Sequence, residues 1–432
     1  MERSSSSATR NSSTSSFGYG VPVVQGDRVF AISDLHTDLP ENWSWLQSSF
    51  LGGADHSKDA LLIAGDISHS QKCIKATLQF LLRKFATVVF VPGNHELWLD
   101  AREDTCVDSL AKFDAVLSMC RKLGVHTGPV RVGGGHCLLL PLFSWYDDSL
   151  HVSLTGTKYA KLDDEKRWRA LWNDYRWCVW PAASALPVQH FARINSDAMA
   201  RCTIGPGEDV ISFSHFLPRK QCLPIWRDHR AEAPSEEWLV GADENAQFMG
   251  VNFSRVAGTA SLDVQLRRAE AQYGSKRMHI FGHSHRPKDF SLQGVRYVSH
   301  PLGYGEERDC IRREGGSSAP LLVWENADRG GGGGREVAGG HAGGDVAGLT
   351  HRLSGLSTDL GGGGLASGYD QQASGSSSAA AGGYGGYGYE SDGCDESPTP
   401  TANAANSAAA WGEAAAVEEY SYDAWSGARW SD

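Results

Sequence analysis

The 432-residue sequence has no Cys-x-x-Cys pair, no apolar run of membrane-spanning length and no excess of positive charge. Each absence excludes something. The nine cysteines (73, 106, 120, 137, 178, 202, 222, 310 and 394) are scattered and odd in number, which argues against a disulfide framework or a cysteine zinc site and for a reducing compartment. The run "CLLLPLF" at 137–143 has the length of a core strand rather than of a membrane helix of roughly 20 residues, so the expectation is a soluble chain with no membrane partner. Of 40 Lys+Arg and 51 Asp+Glu, 4 and 14 lie from Asn326 onward. The first 325 residues keep 36 and 37 and are near neutral, which argues against nucleic acid as a partner. The opening "MERSSSSATRNSSTSSFGYG" lacks the apolar core of a secretory signal. Arg3 and Arg10 among serines leave organelle targeting open, but a plain disordered extension and a cytoplasmic location are the favoured reading.

What the sequence does have is alternation. Short apolar runs, "RVFAI", "ALLIA", "TVVFV", "CLLLPLF", "DVISFS", "MHIFG", "VRYVS" and "PLLVW", predict strands. Between the second and third, Ile74, Leu78, Leu81, Leu82 and Phe85 recur at helical spacing. Between the third and fourth, Leu110, Phe113, Leu117, Cys120 and Leu123 do the same, and Gly124 follows as a C-terminal cap. The class expected is α/β. Three segments follow: a Ser-rich extension over 1–26, one domain over 27–325, and a Gly/Ala/Ser-rich tail over 326–432 that holds 25 of the 50 glycines. The tail buries too little apolar area to offset its ordering entropy and is read as disordered, with recruitment of protein partners left open. Residues 144–208 form an insertion rich in tryptophan (Trp145, Trp168, Trp172, Trp177, Trp180), expected as a small satellite core rather than a stacking platform for substrate.

The strand ends carry the chemistry. The first runs into "SDLHTD", with Asp34 and His36; the second into "GDISH", with Asp66 and His69; the third into "PGNHE", with Asn94 and His95. Later ends bring His215 in "FSHF", and His283 and His285 in "IFGHSHRP". Ligands gather outside the carboxyl ends of strands in α/β sheets, so these residues are expected at one edge. Two divalent cations roughly 3.5–4 Å apart can clamp a phosphate, and a carboxylate between them can bridge. Mixed oxygen and imidazole donors suit Mn, Fe, Zn or Ni better than Mg or Ca. In Asp-x-His and His-x-His, residues two apart on an extended segment point the same way. The glycines before Asp66, Asn94 and His283 allow sharp turns and close approach.

The ordered series "DLH … GD … GNHE … H … GHSH" resembles the calcineurin-like metallophosphoesterase superfamily over about residues 28 to 305. The resemblance implies two packed mixed sheets flanked by helices, with a dinuclear metal site at one edge. It implies Asp34, His36 and His285 on the first metal, Asn94, His215 and His283 on the second, and Asp66 bridging them. His95 would touch the phosphoryl group and assist the leaving oxygen. "GDISH" has His69 where protein phosphatases carry Asp and purple acid phosphatases Tyr. It is more like the repair-nuclease and small phosphodiesterase branches, in which His69 would orient His95; a solvent-facing helix-start histidine is an equal alternative. "ISFSHFLPR" and "HPLGYGEER" resemble members of plants, algae and protists. Arg219 and Arg286 follow ligands closely and are candidates to clamp substrate phosphate.

The expectation is therefore a metal-dependent phosphoric ester hydrolase with two divalent ions. A metal-bridging hydroxide would attack a small phosphomonoester or phosphodiester in line. The alternatives are a nuclease, which the near-neutral core disfavours despite Lys161, Lys166, Arg167 and Arg169, and a non-catalytic scaffold, which the complete ligand set disfavours.

Overall fold

The computed structural model describes residues 20–326, apart from 51, 102–103, 182–185, 242–249, 271–275 and 314–315. The expectations for 1–19 and for 327–432 lie outside the described residues. Ten strands are present among the described residues: β1 Arg28–Ile32, β2 Ala60–Ala64, β3 Thr87–Val91, β4 Val130–Val132, β5 Cys137–Pro141, β6 Asp209–Phe213, β7 Arg277–Phe281, β8 Lys288–Leu292, β9 Val295–Ser299 and β10 Leu321–Glu325. They form two mixed sheets, ordered β10-β1-β2-β3 and β4-β5-β6-β7-β9-β8. Within each the central strands run parallel; β10, β4 and β8 are antiparallel edges. The fold is α/β, two mixed sheets flanked by helices, as the motifs implied.

The period of two along each strand divides the core. Val29, Ala31, Leu62, Ala64, Val89 and Val91 face Leu139, Ile211, Phe213 and Ile280 of the other sheet. Phe30, Ile32, Leu61, Ile63, Val88 and Phe90 face outward, onto α1 (Pro40–Ser48), α2 (Gln71–Leu82) and α3 (Ser109–Leu123). The helical spacing read around Ile74 and Phe113 corresponds to α2 and α3. Phe85 lies past the end of α2 but still packs in its core. α3 starts on Asp108, whose carboxylate accepts from the Ala111 amide, and stops at Gly124 with φ 85°, whose N–H reaches the Cys120 carbonyl.

The insertion contains α4 (Glu165–Leu171), α5 (Asp174–Trp177) and α6 (Pro187–Met199). It does not build a satellite core. Trp145, Trp168 and Trp172 are buried in the main core shared with β5 and β6, while Trp177 is 40% exposed. The reason is that α5 and the chain after it pair with the loop following β3: Leu99 N–H donates to the Trp177 carbonyl and Ser109 N–H to that of Val179. Further on lie α7 (Glu236–Gly241), α8 (Ala260–Glu270) and α9 (Gly305–Arg313). Backbone pairing also reaches into the segment before Asp27, where Val24 N–H donates to the Arg131 carbonyl. No helix among the described residues is long and apolar enough to cross a membrane.

Candidate metal centre

The loops after β1, β2 and β3 of one sheet and after β6 and β7 of the other converge at the carboxyl edge. Five residues there take a backbone conformation that side chains disfavour: Asp34 (φ 55°), His36 (43°), Asp66 (56°), His283 (69°) and His285 (51°). Only Asp148 and Gln293 share it among the other described non-glycine residues. Asp-x-His and His-x-His are therefore not extended segments, as their spacing suggested. Left-handed residues alternate with ordinary ones, and such strain persists where surrounding structure holds it, often at functional sites. A Cβ on Gly65 or Gly93 would strike the His215 ring, and one on Gly93 would also strike Asp66; on Gly282 it would strike Asp34 and the Ala64 carbonyl. The close approach expected of these glycines is present, with Gly65 at φ 84°.

Two donor groups result, Asp34, His36, Asp66 and His285 in one and Asp66, His215 and His283 in the other, with Asp66 common to both. Asn94 joins the second, its Oδ1 3.0 Å from His215 Nε2. Their outer nitrogens fix which way the imidazoles face. His215 Nδ1 donates to the Ala64 carbonyl (2.9 Å), His283 Nε2 to that of Val256 (3.0 Å) and His285 Nδ1 to Glu307 (2.7 Å). The inward nitrogens are left facing one another: His36 Nε2 to His285 Nε2 at 3.0 Å, and His283 Nδ1 to His215 Nε2 at 3.2 Å.

Lone pairs so close require something positive between them. Without a metal that is a proton. Burial opposes it, but Asp66 raises His215 to about 9, and Glu307 and Asp34 raise His285 well above the usual range. Burial, then His215, push His283 down to about 3; burial, then His285, lower His36. Against burial, His285 holds Asp34 at about 2, and His215 holds Asp66 well below the carboxylate range. Each proton sits where several acceptors converge: around His215 Nε2 lie Asn94 Oδ1, His283 Nδ1 and, at 3.3 Å, Asp66 Oδ2. A divalent cation fits such a set of buried carboxylate, amide-oxygen and imidazole donors.

His95 stacks on Trp98 (3.7 Å between centroids) with Nε2 3.9 Å from Asp66 Oδ2. Burial above all pushes it down to about 3, so it is neutral. His69 Nδ1 is 3.3 Å from Asp38 Oδ2, and against burial that carboxylate raises it; its ring lies 6.5 Å from that of Trp98, on which His95 stacks. Arg286 flanks the site, Nη1 3.6 Å from Glu307 Oε1. Arg219 is not brought to the ligands; it turns to Gln221 Oε1 (2.9 Å), the Tyr297 hydroxyl (3.3 Å) and Asp263 (3.8 Å).

Four residues at the site went unread. Glu96, fully buried, accepts from the amides of Asp66, Ile67, Ser68 and Gly93 and so shapes two ligand loops at once. Its place in "GNHE" was a signal. Glu307 orients His285, and Tyr304 packs against His36 and His285, from α9 and the turn before it. Asp174 accepts from Asn94 Nδ2. Nothing in the sequence links these last three to the ligands, because the contacts cross 19 or more positions.

Comparison with known proteins agrees with this geometry. The family model described as calcineurin-like phosphoesterase matches residues 27–287. The "[acyl-carrier-protein] phosphodiesterase PptH" of Mycobacterium tuberculosis is 37% identical over 126 residues, 28% of this chain and 38% of that protein. The matched part thus spans well under two thirds of that relative. The crystal structure of the phosphopantetheinyl hydrolase PptH from Mycobacterium tuberculosis superposes with a TM-score of 0.52 at 23% identity, over 71% of this chain and 99% of that one, a likeness of fold.

Proposed function

The chain belongs to the calcineurin-like phosphoesterase family, a family of phosphoester hydrolases, and from that premise we propose that it is a dinuclear metal-dependent phosphodiesterase. One observation carries the reading: two buried donor groups share Asp66, and each has an imidazole nitrogen facing a ring of acceptors. Asp34, His36 and His285 would hold one cation, Asn94, His215 and His283 the other, and Asp66 both. When bound, the two cations supply neutralisation of phosphoryl charge and a water of lowered pKa.

The remaining work falls to the chain. His95, neutral and fixed by Trp98, offers one ring N–H to the phosphoryl or leaving oxygen. His69, paired with Asp38, lies in the same neighbourhood, and that carboxylate favours its protonated form. Arg286, a third exposed and only loosely paired, is free to turn towards an anionic substrate. Arg219, engaged elsewhere, is assigned no substrate contact. The partial match to an acyl-carrier-protein phosphodiesterase supports a phosphodiester borne on a carrier protein as substrate class.

The test is turnover of bis-p-nitrophenyl phosphate, p-nitrophenyl phosphate and a phosphopantetheinylated carrier protein. The chain would be stripped of metal and reloaded with Mn²⁺, Zn²⁺, Ni²⁺ or Mg²⁺. Metal-dependent diester cleavage should be abolished in Asp66→Asn and reduced about 10²-fold or more in His95→Ala. A preference for the monoester would overturn the diesterase reading. Two bound ions with no turnover of any ester would overturn the enzyme.

A further inference from the structure

The insertion reaches the metal centre through one carboxylate. Asp174, at the start of α5, is 3% exposed. Its Oδ1 accepts from Asn94 Nδ2 (2.9 Å) and from the Trp98 indole N–H (2.6 Å), and its Oδ2 from the Trp172 indole N–H (2.8 Å). Each of these donors belongs to the centre. Asn94 is the amide of the second donor group, Trp98 is the ring against which His95 stacks, and Trp172 packs edge-on to His283 at 5.9 Å.

We propose that Asp174 is a positioning residue that aims Asn94 at the second cation and sets the plane of His95 through Trp98. This rests on the dinuclear reading above. A carboxylate can only accept, so it holds the NH₂ end of the Asn94 amide and turns the oxygen inward, towards His215 Nε2. A free asparagine amide has no such preference, so the cation itself would have to turn and hold it. The Trp98 indole, tethered by its N–H, has its ring angle fixed, and the stacked imidazole at 28° follows it. Cation affinity at one position and the placing of His95 thereby depend on the insertion being seated. That seating is secured by the pairing of residues 177–179 with the loop after β3.

A purely structural reading makes Asp174 the anchor of α5 and nothing more. The two separate in a double-mutant cycle on metal binding. The metal-stripped full-length chain is titrated calorimetrically with Mn²⁺ as wild type, Asp174→Asn, Asn94→Ala and the double variant, with circular dichroism to check folding. Two equivalents are expected for wild type. Asp174→Asn should weaken one equivalent about 10- to 100-fold and leave the other unchanged. In the Asn94→Ala background the same change should add nothing, because the residue it acts through is gone. Should Asp174→Asn not fold, Asp174→Glu keeps the charge but displaces the oxygens, and a loss confined to the same equivalent is expected. Two equivalents bound as tightly as in wild type, or penalties that multiply in the double variant, overturn the inference and leave the dinuclear reading standing. Fewer than two equivalents in wild type overturn both.

Discussion

His215 shows how one proton and one cation compete for the same atom. Its Nε2 faces Asn94, His283 and Asp66, and in the metal-free chain Asp66 lifts it to about 9. Below that pH the nitrogen is protonated, and a cation must displace the proton before it can bind. Affinity at this position should therefore fall about tenfold for each pH unit below about 9, and level off above it. Mn²⁺ titrations in buffers of different ionisation enthalpy would read the release directly. Equal heats in all buffers at pH 7 would show that no proton leaves. Glu96 is the other residue whose loss should be felt, for a different reason. Glu96→Ala leaves four buried amides of two ligand loops without an acceptor, at a cost of about 3 kcal/mol or more. Urea unfolding of the metal-free chain would measure it, and a loss under about 1 kcal/mol would mean that the loops find other acceptors.

Strands were legible in the sequence where an apolar run was long enough to stand out, the half-buried β10 included. β1, β2 and β3 read as unbroken apolar runs because both faces are covered, one by the opposite sheet and one by helices. β4, three residues long, and β8, with the burial of an edge strand, went unread: "VRV" is too short and "KDFSL" too polar to stand out. The donor set was legible because each member follows a strand directly in the chain. The residues that orient it were not, since Glu307 and Asp174 meet the ligands only through the tertiary fold. The α3 cap was legible, and its energetics follow from backbone alone. Gly124 sits at φ 85°, and a Cβ placed on it would have no neighbour within 4 Å, so Gly124→Ala meets strain but no clash. It should lower stability by about 1 kcal/mol, read as a shift in the urea midpoint with unchanged slope. An unaltered midpoint would mean that α3 ends differently in solution.

At the scale of the whole molecule, the centre lies across the seam between the sheets. Asp34, His36, Asp66 and Asn94 come from the four-stranded sheet, and His215, His283 and His285 from the six-stranded one. A cation held by both groups therefore adds a link between two halves that adhere through apolar side chains and a few polar contacts, such as that of His215 Nδ1 with the Ala64 carbonyl. Such a ligand binds the folded chain and not the unfolded one, so it stabilises by mass action, by about 2.7 kcal/mol for a single site at about 100 times Kd. The thermal midpoint should rise with free Mn²⁺ and drop on chelation. The rise should be largely absent in Asp66→Asn, which removes charge from the one carboxylate common to both groups. Asp66→Asn should also unfold at a higher temperature than the wild type when both are stripped only if the wild-type carboxylate is under-neutralised. With His215 protonated at neutral pH and 3.3 Å away, it is not, so the stripped variant is expected to be the less stable of the two. A midpoint indifferent to Mn²⁺ and to chelator would show that the two groups of donors do not hold a cation together across the seam.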